Sequence, residues 1–183
     1  MDDDSSNIEG YLILVDIKNS TSRKINLKKN LEKNFEEKWV TDTKDMYKSF
    51  SDMIDTLKKD FQNNKFEIIV KFIGDMAMSF IRILDSYSQI NVISEKILDR
   101  IIGFIEHNDK KGLDENDKLD NIKLKIIVTY LDGINKMINP QNLCYICETT
   151  KDVLGRGVDF SFRLEKFSDF SHITMNRAFE SSI

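Results

Sequence analysis

Apolar positions along the chain fall into runs that change period several times. GYLILVDI (10–17) is a nearly unbroken apolar run ending in an acid, which predicts a central strand buried on both faces with Asp16 near its C-terminal end. The polar stretch KNSTSRK (18–24) suits a turn and a helix start. KKNLEKNFEEKWV (28–40) places Leu31, Phe35 and Trp39 on one helical stripe. A second helix is expected after a cap at Thr41 or Thr43, where Met46, Phe50, Met53, Ile54, Leu57 and Phe61 recur at i+3/i+4 spacing. FEIIVKFIGDMAMSF predicts a hairpin, with strands near 66–72 and 76–83 and Ile73-Gly74 at the join. Ile90, Ile93, Ile97, Ile101, Phe104 and Ile105 mark a third helix over 86–106.

HNDKKGLDENDKLDN (107–121) has no apolar period and reads as an exposed loop. IKLKIIVTYL (122–131) and LCYICE (143–148) read as strands, separated by a turn region that holds Pro140. TTKDVLGRG (149–157) reads as a loop, VDFSFRLEKF (158–167) as a helix, HITMN as a short edge strand and NRAFESS as a terminal helical turn. The order contains a split βαββαβ core. The expected fold class is α/β (α+β), a ferredoxin-like sandwich with helices packed on a mainly antiparallel sheet. At 183 residues the chain reads as a short flexible N-terminus (1–9) followed by one domain (10–183).

Composition narrows the function classes. A net charge of −4, with basic residues interleaved among acids, argues against a surface that coats nucleic acid. MDDDSSN offers no basic or apolar leader, and no run approaches the roughly 18 apolar residues of a membrane span. The expected location is cytoplasmic, with no membrane and no nucleic-acid partner. Cys144 and Cys147 form C-Y-I-C without the second ligand pair that zinc requires, and read as two reduced strand cysteines.

One residue sits badly in the hairpin. Asp75 opens a return strand among apolar neighbours, where a carboxylate is costly unless a cation compensates it. In the expected core the first strand and the hairpin lie side by side, so Asp16 and Asp75 converge. Two close carboxylates repel unless a divalent cation neutralises them, and an all-oxygen site favours Mg²⁺ or Mn²⁺. The bland reading makes Asp75 a turn residue and Asp16 a strand-end cap.

Three segments carry a resemblance. LVDIKNST resembles the first strand and turn of class III nucleotidyl cyclases (the adenylate/guanylate cyclase catalytic domain), KFIGDMAM resembles their hairpin, and DVLGRGVDFSFRLEKF resembles their third motif. The matches occur in family order over residues 11 to about 175. The resemblance implies that Asp16, Asp75 and the backbone carbonyl of Ile17 hold two divalent ions, Mn²⁺ or Mg²⁺. It implies that amides around Asn19, Ser20 and Thr21 cradle the triphosphate. Lys71 and Asp152 match the pair that reads the nucleobase, and Arg163 the arginine that stabilises charge on the α-phosphate. Asp159 stands where the family has Asn, and an ionised Asp accepts hydrogen bonds but cannot donate them. The family's C-terminal triphosphate lysine has no counterpart, and Lys18, Arg23 and Lys24 are nearby basic residues.

The family builds two equivalent sites at a head-to-tail homodimer interface, with the metal aspartates from one subunit and the base-reading pair and arginine from the other. The implied reaction converts a nucleoside triphosphate to a 3′,5′-cyclic nucleotide and pyrophosphate. Among relatives the short chain is most like the stand-alone bacterial antiphage cyclases that make cyclic UMP or cyclic CMP, whose product a separate effector protein reads. That points to UTP ahead of CTP. Lys71 with Asp152 leaves the base open, so an adenylate or guanylate cyclase remains an alternative. So do an inactive nucleotide-binding module of the same fold and another palm-type enzyme.

Overall fold

The computed structural model describes residues 8–18, 24–25, 28–29, 35–61, 65–84, 89–111, 123–131, 145–147, 149–169 and 172–183. Four strands form the antiparallel core: β1 (Glu9–Ile17), β2 (Phe66–Ile73), β3 (Met76–Ile83) and β4 (Leu124–Leu131). They lie in the order β2-β3-β1-β4, and β7 (Ile173–Met175) extends that sheet parallel to β4. A separate hairpin pairs β5 (Tyr145–Cys147) with β6 (Asp152–Leu154). The helices are α1 (Phe35–Asp60), α2 (Ile90–Lys111), α3 (Arg156–Leu164) with a 3-10 turn over Glu165–Phe167, and α4 (Arg177–Glu180). This is the ferredoxin-like sandwich expected from the pattern.

Strand β1 is apolar from Tyr11 to Val15 because both its faces are covered there. Tyr11, Ile13, Val15 and Ile17 belong to a core shared with Met46, Phe50, Ile54 and Leu57 of α1 and Ile93, Ile97 and Ile101 of α2. Leu12 and Leu14 belong to a second cluster with Ile69, Met78, Phe80, Ile127, Val153 and Val158. The second face is therefore roofed by α3 and the β5–β6 hairpin. Alternation puts Asp16 on that face, one step beyond Leu14.

The element boundaries differ from expectation in three places. From Phe35 onward the two expected helices before the hairpin are one continuous helix to Asp60, while Leu31 lies outside the described residues; Thr43 does not cap the second, and its hydroxyl donates to the Trp39 carbonyl at 2.9 Å. No proline or glycine interrupts that segment, so the break suggested by two threonines has no physical cause. Helix α2 runs past its last apolar residue to Lys111, with the Asn108 amide donating to the Phe104 carbonyl at 2.7 Å. The apolar period marks only the part of a helix that packs. Within the expected loop TTKDVLGRG, residues 152–154 form β6, which is too short to show a period of two.

The C-terminus is tied into the sheet. Asn176 accepts from the Phe179 and Tyr130 amides at 3.0 Å and donates to the Tyr130 carbonyl at 2.9 Å, which caps α4 and buries Phe179. Among the described residues no helix is long and apolar enough to cross a membrane.

Candidate functional site

Asp16 and Asp75 meet at one end of the sheet. Asp16 pairs with Met76 of β3, and Asp75 immediately precedes that residue in the hairpin turn. On its other side Asp16 pairs with Lys125, whose ammonium is bound to the Glu165 carboxylate. Burial, then the Asp75 charge and then Glu165 push the Asp16 carboxyl up to about 6, while Lys125 and a hydrogen bond from the Ile17 amide pull against them. The net result is uncompensated negative charge. Gly74, with φ at 65°, supplies the left-handed residue of the turn that leads into Asp75.

Pairing parity also fixes the Ile17 peptide. The Lys18 amide donates to the Lys123 carbonyl at 2.8 Å, so even-numbered residues at this end of β1 bond toward β4 and odd-numbered ones toward the hairpin. The Ile17 carbonyl therefore faces the side where Asp75 stands. Two carboxylates and one carbonyl form an all-oxygen donor set, which fits Mg²⁺ or Mn²⁺. Among the described residues no cluster of three or more Asp, Glu, His or Cys could hold a metal, so a bound ion would draw further ligands from backbone, water or substrate.

Lys71 and Asp152 are also together. The Lys71 ammonium lies 2.9 Å from the Asp152 carboxylate and donates to the Thr150 carbonyl at 2.9 Å. A hydrogen bond from the Thr150 side chain, and then Lys71, hold the Asp152 carboxyl below its usual range. The register puts Lys71, Met78 and Leu14 in one cross-strand row, and Ile73, Met76 and Asp16 in the row beyond it. Two strands across and two residues along separate Lys71 from Asp16 by about 12 Å on the same face.

Asp159 and Arg163 form an i,i+4 ion pair at 2.8 Å on α3, with Arg163 71% exposed. Gly157, Val158 and Ser161 are the buried residues of that helix, and the Ser161 hydroxyl bonds the Thr129 hydroxyl at 2.7 Å. Helical spacing turns Asp159 and Arg163 away from their own sheet. Asn19, Ser20 and Thr21 lie outside the described residues, as does Arg23. Lys18 is bound to Asp169, and the Lys24 ammonium lies 4.3 Å from the centroid of the Trp39 ring.

Some site residues were not visible as such in the sequence. The Tyr47 hydroxyl donates to the Gly74 carbonyl and its ring lies 4.3 Å from that of Phe72, so α1 braces the turn that carries Asp75. Its position in the α1 period offered no hint of this. Lys125 and Thr150 lie outside the three motifs, Glu165 lies inside the third without an assigned role, and only the fold brings them to Asp16 and Asp152.

No family model matches the chain, and no curated protein matches it. Solved structures do. The chain superposes on the crystal structure of the adenylyl cyclase CyaB from P. aeruginosa with a TM-score of 0.58 and 18% identity, covering 96% of this chain and 80% of that one. It superposes on that of the guanylyl cyclase Cya2 with a TM-score of 0.56 and 12% identity, covering 95% and 77%. The fold that the sequence resemblance implied is the fold the chain has.

Proposed function

We propose that the chain is a nucleotidyl cyclase that acts as a homodimer, converting a nucleoside triphosphate to its 3′,5′-cyclic nucleotide and pyrophosphate. The observation that carries this reading is the convergence of Asp16 and Asp75 at one end of a sheet whose fold is similar to an adenylyl and a guanylyl cyclase. In the reaction the ribose 3′-oxygen bonds to the α-phosphorus, the bond from that phosphorus to the bridging oxygen breaks, pyrophosphate leaves, and the hydroxyl proton passes to solvent.

Asp16, Asp75 and the Ile17 carbonyl hold the divalent ions. Bound there, a pair of Mn²⁺ or Mg²⁺ ions would activate the 3′-hydroxyl and neutralise the triphosphate. The segment Asn19-Ser20-Thr21 supplies amides to the phosphates. Lys71 and Asp152 present one donor and one acceptor to the base. An ion pair as exposed as theirs adds little to stability, so recognition explains its placement better than folding does. Arg163 offers fixed positive charge to the α-phosphate, and Asp159 holds its guanidinium. Because Arg163 is turned away from its own sheet, it serves the triphosphate of a second copy.

Within this activity we assign UTP first and CTP second, with the product acting as a messenger read by a separate effector in bacterial antiphage defence. This assignment rests on likeness to short stand-alone pyrimidine cyclases. The names of the structural neighbours favour ATP or GTP as the second reading. The deciding experiment incubates the protein with each of the four triphosphates in Mn²⁺ and identifies products by mass spectrometry, with Asp75→Ala alongside. One cyclic nucleotide, absent from the variant, is expected. No cyclic product from any triphosphate would overturn the cyclase reading.

A further inference from the structure

Two lysines neighbour Asp16 in the β1–β4 ladder, and the segment after α3 binds both. Lys125 lies directly opposite Asp16 on β4, so their side chains share a face with Cβ atoms about 5 Å apart. A lysine stem is long enough to bridge such a cross-strand pair. The Lys125 ammonium is bound instead to the Glu165 carboxylate, and no ion pair joins it to Asp16 among the described residues. Lys18, two residues further along the chain from Asp16, continues the ladder through its amide and is bound to Asp169.

Glu165 is held by its own turn. It opens the 3-10 turn Glu165–Phe167, and its carbonyl accepts from the Ser168 hydroxyl at 2.8 Å and the Ser168 amide at 3.2 Å. Ser168 is itself buried. The Lys125 and Glu165 side chains are 17% and 30% exposed, so solvent screens their charges less than it would at an open surface.

An ammonium resting on Asp16 would oppose a cation there in two ways. It would occupy the carboxylate oxygens, and it would repel a divalent ion by its own charge. Paired with Glu165, the same ammonium is largely cancelled, and Asp16 and Asp75 face an incoming ion uncompensated.

We propose that Glu165 is a positioning residue for the metal site: it draws the Lys125 ammonium away from Asp16 and so sets the affinity of the Asp16–Asp75 end of the sheet for a divalent cation. This inference rests on the reading of Asp16 and Asp75 as metal ligands. It assigns control of cation affinity to a lysine and a glutamate that bind no ion themselves.

The test measures Mn²⁺ dissociation constants of the metal-free full chain by calorimetry, with no nucleotide present. Glu165→Gln removes one negative charge and releases the Lys125 ammonium to Asp16, and it is expected to weaken Mn²⁺ binding about tenfold. Lys125→Met removes the competing cation and is expected to tighten binding by a similar factor. The double variant removes one charge of each sign and is expected to return to the wild-type value. Thermal midpoints in EDTA check folding; if Glu165→Gln does not fold, the tightening by Lys125→Met carries the test. A merely structural pair would give weaker binding in both single variants with no recovery in the double, and would overturn the inference while leaving the metal site standing. Unchanged affinity in the single variants would do the same. Asp16→Asn is the control: a wild type that binds Mn²⁺ no better than this variant overturns the metal reading and the inference together.

Discussion

Asp16 is kept in the fold at a cost. Its carboxyl is pushed from 3.8 up to about 6 by burial and by Asp75, so between about pH 4 and pH 6 the folded protein holds a proton that the unfolded chain has lost. Stability therefore falls as pH rises through that window and stays lower above it. A difference of this size corresponds to about 3 kcal/mol, and solvent screening at a partly exposed site reduces it to about 1–2 kcal/mol. In metal-free protein Asp16→Asn should accordingly raise the unfolding free energy at pH 7 by that amount and change little at pH 4. Mn²⁺ should then raise the thermal midpoint of the wild type and not of the variant. Urea melts in EDTA at the two pH values decide it; a gain that is the same at both would show that Asp75 and burial do not act on an ionised Asp16.

At the scale of elements, legibility followed burial. Strand β1 was readable because two covered faces leave no room for polar residues, and the β2–β3 hairpin because Gly74 interrupts two apolar runs. Strand β6 and the continuity of α1 were not readable. Three residues cannot display a period, and a helix crossing a charged stretch is held by backbone hydrogen bonds that leave no side-chain pattern. Of the candidate site, Asp16 and Asp75 could be paired from topology, and Lys71, Asp152, Asp159 and Arg163 by motif. Tyr47, Thr150, Lys125 and Glu165 could not, because each acts through a contact made only after folding. Gly10 shows the same limit: it reads as a strand boundary, yet a Cβ there would lie 2.3 Å from the Ile81 carbonyl oxygen across the β1–β3 pair. That oxygen belongs to the central ladder and cannot step aside. Gly10→Ala should therefore cost about 1–3 kcal/mol of stability in a denaturant titration, and a variant as stable as the wild type would mean that the ladder gives way there at no cost.

For the whole molecule the question is whether one copy can complete a site. Asp16 and Asp75 lie at the end of the sheet face roofed by α3, but α3 buries Val158 and Ser161 against that face and turns Arg163 outward. On the proposed reading, a guanidinium so placed would serve a triphosphate held by a neighbour's aspartates rather than one held beneath its own helix. Two copies related by a twofold axis would then form two sites, each taking aspartates from one chain and arginine from the other. This predicts complementation. Asp16→Ala and Arg163→Ala proteins should each be inactive alone. In a heterodimer one site collects both defects and the other collects neither. Equal mixing makes half the dimers mixed, each with one of two sites intact, so about a quarter of wild-type activity should return. The recovered activity should fall on dilution as the dimers dissociate, and sedimentation at the same concentrations measures that dissociation independently. Mixtures that stay inactive while sedimenting as dimers would mean that Arg163 serves its own chain's aspartates.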